Sequence, residues 1–165
     1  MIGPKLFIIY TANFASILRS PWNQYADDTK LFIDPNIGYG TLQNDMQNDN
    51  MLGEWCKLWS LPLNKSKCEV LHIGKNNPHL PYYIKDHKLN VVESHLDLGV
   101  LINSELSWTD HIFKQVKKAN RTAYFIRRSF HKVNYIAMSK AFKIYVRPIL
   151  EFASTIWHPT TIRDQ

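Results

Sequence analysis

Between Asp110 and Glu151 the chain carries no acidic residue, while Lys114, Lys117, Lys118, Arg121, Arg127, Arg128, Lys132, Lys140, Lys143 and Arg147 all fall there. Before Asp110 the acids slightly outnumber the bases. At about 100° per residue, Ile112, Val116, Ala119, Ala123, Ile126 and Phe130 lie within about 40° of one line. On the same projection Lys114, Lys117, Lys118, Arg121, Arg128 and Lys132 fall at about 140–240°, on the opposite side. The segment is therefore expected to be a long helix with one apolar face and one cationic face. Many charge runs are simply solvated faces, but those usually mix both signs. An acid-free face suits a polyanion, and nucleic acid fits better than a membrane because the apolar line is needed for a core.

The rest of the chain constrains the class. Its 165 residues, 45% hydrophobic and 21% charged, suit about one domain with a real core. Cys56 and Cys68 form no CxxC pair and no disulfide framework, which fits a reduced cytoplasmic or nuclear setting rather than secretion. The apolar run from Leu6 to Tyr10 is broken by Asn13 and Arg19 and reads as a core helix rather than a leader or a span. Residues Pro4 to Leu18 place Leu6, Ile9, Tyr10, Asn13 and Ile17 at helical spacing after a Gly3-Pro4 start. Trp22 to Ile33 reads as two strands about a turn, ended by Asp34-Pro35-Asn36. Thr41 to Trp59 carries a rough helical stripe of Leu42, Met46, Leu52, Cys56 and Trp59, weakened by Gly53.

Strand candidates follow at Cys68 to Ile73, Tyr82 to Ile84, Leu89 to Val92 and Leu98 to Ile102. A last helix is expected from Asn134 or Tyr135 to about Trp157, kinked or divided at Pro148. Strands followed by helices imply α+β, with a soft boundary near Ser104 to Ser107: residues 1–104, then 105–165.

The residues that carry chemistry are Tyr25-Ala26-Asp27-Asp28. Two adjacent carboxylates repel unless a cation lies between them. A tight turn directs both at one place, where magnesium or manganese would find hard oxygen ligands and keep positions open for phosphate. The plainer alternative is ordinary turn chemistry, since Asp bends backbone readily. No Walker-type glycine loop is present, and the histidines have no metal-ligand spacing with the cysteines.

Tyr25-Ala26-Asp27-Asp28 followed by Thr29-Lys30-Leu31-Phe32 resembles the catalytic hairpin of reverse transcriptases of non-LTR (LINE-like) retrotransposons. The likeness extends to Gly3-Pro4-Lys5-Leu6-Phe7, Leu42-Gln43-Asn44-Asp45 with Trp55-Cys56, and Leu63 to Cys68. It continues through Asp97-Leu98-Gly99-Val100, Trp108 with His111-Ile112, Ala119-Asn120-Arg121 and Tyr145 to Ser154. It thus covers nearly the whole chain in order. The resemblance implies the later part of a polymerase palm, an antiparallel sheet with packed helices, joined to a helical thumb. It implies an RNA-directed DNA polymerase acting with two metal ions on an RNA template, a DNA primer and dNTP.

By the same likeness Asp27 is a metal ligand, Asp28 completes or supports the site, Ala26 admits the primer end and Tyr25 packs beneath it. Lys67 matches a lysine that protonates or neutralises the leaving pyrophosphate; without the likeness it reads as a solvent-facing strand lysine. Leu98-Gly99-Val100 matches the primer grip, or else is a core strand with a glycine bulge. The thumb cations named above would hold the duplex backbone without reading its sequence.

Other expectations come from where the chain departs from that pattern. Met1-Ile2-Gly3 opens within a motif, and the family's Gln-Gly segment, fingers and a further metal-binding aspartate would precede it. An N-terminal half of the polymerase is therefore the expected missing partner, and activity of this chain alone is not expected. Without a neighbouring palm strand the hairpin should keep an open edge. The alternatives are an inactive retrotransposon remnant that binds nucleic acid through the basic helix, and a product with no selected role.

Overall fold

The computed structural model describes residues 2–33, 38–47, 54–130 and 135–158. Helices alternate with small antiparallel ladders in an α+β arrangement. Among the described residues no helix is long and apolar enough to cross a membrane. The chain divides into two compact units, Met1–Val70 with His79–Val91, and Leu71–Pro78 with Val92–Gln165.

In the first unit α1 spans Gly3–Tyr10, with proline in the first turn, where its missing N–H costs no helical bond. A 3-10 segment, Ala12–Ile17, follows. The helical period continues as expected, but the buried face is a neighbouring one. Leu6, Ile9, Tyr10 and Asn13 are exposed, whereas Phe7 is half-buried and Thr11 and Phe14 are buried, at spacings of four and three. Phe14 meets Trp55 edge-on, 4.8 Å between ring centroids, and the Trp55 indole N–H donates to Asn13 Oδ1 at 3.0 Å. That cluster, with Leu18, Cys56, Trp59 and Leu61 around it, anchors the N-terminal helix.

Strands β1 (Trp22–Tyr25) and β2 (Asp28–Leu31) pair antiparallel, in register from Trp22 with Leu31 to Tyr25 with Asp28. Where one helix was expected between Thr41 and Trp59, the described parts are α2 (Tyr39–Gln47) and α3 (Glu54–Leu58). Leu52 and Gly53, like Asp34 to Asn36, lie outside the described residues. Leu42 and Met46 of α2 close on Tyr82, Ile84 and Leu89 to form the unit's larger core.

Gln43 fastens this packing. Its side-chain amide donates to the Tyr83 carbonyl and its Oε1 accepts the Tyr83 N–H, both at 3.1 Å. One side chain thus completes an edge that a strand would otherwise have to cover. Strands β3 (Glu69–Leu71), β4 (Tyr83–Ile84), β5 (His87–Lys88) and β6 (Asn90–Val92) make two further ladders, β4 with β5 and β3 with β6.

The second unit contains the hairpin of β7 (Ser94–Asp97) and β8 (Val100–Asn103) and the 21-residue helix α4 (Thr109–Ser129). The expected boundary near Ser104 leaves this hairpin with the first part; by compactness it goes with α4. Ala119, Ala123 and Ile126 of α4 pack with Met138, Ala141, Val146 and Ile149, while Val116 and Phe130, expected on the same line, are exposed.

The expected final helix is divided into α5 (Tyr135–Ala141), a π-helical stretch Phe142–Val146, α6 (Arg147–Glu151) and α7 (Ser154–Trp157). The core residues explain the π stretch. Met138 to Ala141 is a step of three and Val146 to Ile149 another, but Ala141 to Val146 is a step of five. An α-helix closes such a stripe with four; i→i+5 winding accommodates the fifth. Pro148 then falls in the first turn of α6, where its ring is tolerated.

Candidate functional site

The carboxylate pair is held by a hairpin whose turn consists of Ala26 and Asp27, with Asp28 already the first residue of β2 opposite Tyr25. Ala26 has φ +53°, a left-handed conformation that costs a residue with a Cβ about 1 kcal/mol. Asp27 and Asp28 are both exposed. Two hard oxygen donors on adjacent residues at the end of a two-stranded ribbon suit magnesium chemically. Among the described residues no group of three acid, histidine or cysteine side chains assembles into a metal cage.

Gln24 positions this tip, and the sequence offered no sign of it. Its amide donates to the Ala26 carbonyl at 3.0 Å and to Thr11 Oγ1 at 3.4 Å. Thr11 is buried and its hydroxyl donates in turn to Phe7 O at 3.0 Å. The turn is thereby tied to α1 through two side chains thirteen residues apart. Strand alternation turns Trp22 and Gln24 toward the interior and leaves Asn23 and Tyr25 outward. Tyr25 accordingly stands exposed rather than packed within this unit. Among the described residues β1 and β2 form a two-stranded sheet.

Lys67 ends a 3-10 turn, Lys65–Lys67, just before β3, not within the strand. It is exposed, and no hydrogen bond or ion pair among the described residues joins its ammonium to the aspartates.

Leu98 and Gly99 form the turn of the β7–β8 hairpin, with φ +46° and +92°, and Val100 opens β8 and is buried. The expected glycine bulge is therefore a two-residue turn of the I′ kind, whose positive angles match the strand twist. A Cβ on Gly99 would lie 3.2 Å from Phe152 Cε1, so the tip is closely seated on that ring.

Of the expected phosphate contacts, Lys114, Lys117, Lys118, Arg121 and Arg128 are exposed on α4, and Lys132 lies outside the described residues. None of the five is ion-paired among the described residues. The opposite side supplies the core residues Ala119 and Ile126, so burial separates the two faces as the projection predicts.

His111 has no ligand spacing in the sequence, yet it is the most deeply buried side chain described, 1% exposed. Its Nδ1 accepts the Leu101 N–H at 3.1 Å, and its ring lies 5.1 Å from that of Trp157. Burial, aided by the Lys114 charge, pushes the imidazole below its ordinary pKa of 6.5. A histidine in the first turn of a helix was the available signal; the strand amide that it holds was not visible.

No family model, curated protein or solved structure matches the chain.

Proposed function

We propose that the chain is the palm-and-thumb part of an RNA-directed DNA polymerase of the non-LTR retrotransposon kind, working on an RNA template and DNA primer. The observation that carries the reading is the placement of Asp27 and Asp28, inside Tyr25-Ala26-Asp27-Asp28, at the end of a two-residue hairpin. In this reading Asp27 and Asp28 would hold divalent magnesium or manganese, which would supply positive charge to stabilise the negative oxygens of nucleotidyl transfer. Asp27 and Asp28 bind the metal, Gln24 keeps the tip oriented, Ala26 leaves room for the primer end, and Lys67 meets charge on the leaving pyrophosphate. The reading requires a further carboxylate beside the pair, so the described residues bind metal weakly.

The exposed cations of α4 also support a second reading, because they need no metal: a nucleic-acid-binding protein without polymerase activity.

Titration with manganese, followed by paramagnetic broadening of backbone resonances, tests the metal site. Broadening is expected to centre on residues 25–28 with a dissociation constant on the order of millimolar, as for sites with few carboxylates. Asp27→Asn should abolish it. Broadening that is unchanged in Asp27→Asn, or that is centred elsewhere, would remove the polymerase reading while leaving the second one standing.

A further inference from the structure

The outer face of α4 carries three large aromatic side chains that the core does not use. Phe113 is 71%, Tyr124 64% and Phe125 68% exposed. They alternate with the cations along the helix. Phe113, Lys117, Arg121, Tyr124 and Arg128 succeed one another at steps of four, four, three and four residues, which keeps them in one row. Lys114, Lys118 and Phe125 form a second row beside it. We propose that this face binds single-stranded nucleic acid, with bases stacked on Phe113, Tyr124 and Phe125 and phosphates on the intervening lysines and arginines. The proposal rests on the nucleic-acid part of the reading above and narrows it from a duplex backbone to a strand with free base faces.

Three physical arguments select this occupant. First, a solvent-facing aromatic ring alone says little, but rings and cations interleaved on one acid-free face match a polymer whose repeat is one flat ring and one negative charge. Second, a duplex does not match. Its bases are stacked on each other and offer only edges, so the rings of α4 would have nothing to cover. Third, a bilayer does not match either. An interfacial helix keeps apolar and cationic side chains in separate sectors, whereas seating Phe113 and Tyr124 in hydrocarbon here would draw Lys117 and Arg121, in the same row, in with them.

The spacing is compatible as well. Phe113 and Tyr124 are about 16 Å apart along the axis at 1.5 Å per residue. At about 3.4 Å per nucleotide, that length spans roughly four or five stacked nucleotides.

Fluorescence anisotropy with labelled oligouridylate and oligothymidylate of about a dozen nucleotides, and with a duplex of equal length, tests this on the full chain. Replacing the three rings together, Phe113→Leu, Tyr124→Leu and Phe125→Leu, keeps apolar bulk and removes the π faces. Single-strand affinity should fall at least about tenfold. The salt dependence of binding should keep its slope because the cations remain. Circular dichroism of the triple variant, expected to match the parent, confirms that the helix persists. The RNA and DNA strands should respond alike, since stacking uses the base and not the sugar. Single-strand binding that is salt-sensitive but unaltered in the triple variant would overturn the stacking proposal and leave phosphate binding by α4 intact. Failure of the parent chain to bind any of the three probes would overturn both.

Discussion

His111 illustrates how a single buried side chain sets a pH requirement for the second unit. Because Nδ1 accepts the Leu101 N–H, that nitrogen is unprotonated and the ring proton sits on Nε2. Protonating the ring would set two N–H groups against each other inside the unit. Its pKa is lowered by burial first and by Lys114 second, so the unfolded chain takes up a proton at higher pH than the folded one. Stability from this group is therefore complete above about pH 6.5 and is lost progressively as the pH falls below that. Urea unfolding at pH 7.5 and 5.5 should show a lower midpoint at the acidic value. His111→Leu should flatten that difference while costing about 1–3 kcal/mol at neutral pH, because the Leu101 amide loses its acceptor. An unchanged pH slope in the variant would refute the assignment.

At this scale the sequence displays acidic pairs that are neighbours, such as Asp27 and Asp28. It hides partnerships between elements: Leu101 with His111, Gln24 with Thr11, and Gln43 with Tyr83.

Among the elements, the β7–β8 turn is where local conformation and packing coincide. Gly99 combines φ +92° with the Phe152 ring, so Gly99→Ala meets both a left-handed backbone and a carbon 3.2 Å away. A loss of about 2 kcal/mol or more is expected, seen as a lower melting temperature. Leu98→Asn should act in the other direction, by about 0.5–1 kcal/mol, since asparagine accepts the left-handed region that Leu98 occupies at φ +46°. If Gly99→Ala melts with the parent, the turn geometry is wrong.

How legible an element was depended on its length and on whether its signal was its own. The 21 residues of α4 average out local exceptions, and its two faces were readable in advance. In β1 and β2 the turn residues and flanking pattern agreed. Ser94-His95-Leu96-Asp97, by contrast, is polar and mostly exposed, and becomes a strand because β8 lies alongside to pair with it. His87 and Lys88 are extended for the same reason, with Ile84 and Tyr83 opposite.

For the molecule as a whole, the coarse class was legible and the division of the chain was not. Strands followed by a helical tail announce α+β, but no composition shift marks the excursion of Leu71–Pro78 into the second unit or the return at His79. Those crossings depend on which strands pair, a long-range choice. Each unit has its own buried clusters: Leu42, Met46, Tyr82, Ile84 and Leu89 in the first, and Ala119, Ile126 and Val146 in the second. Val146→Ala should therefore cost about 1–2 kcal/mol of local stability. Amide exchange should accelerate in α4 and α6 while the amides between Tyr82 and Leu89 keep their protection. Equal acceleration in both places would mean that the clusters unfold together.

The step of five between Ala141 and Val146 has a consequence of its own for length variation. The wide coil there contains one residue more than the stripe demands. Excising any one of Phe142 to Tyr145 leaves inward positions separated by three, four and three, an ordinary helix that still closes over the same groove. A similar excision within α4 would swing the remainder of that rod by about 100°, carrying its core residues outward and its cations inward. The second unit thus has a place where its polypeptide can be shortened while the residues beyond the cut keep their roles, lying next to a long helix that tolerates no such change.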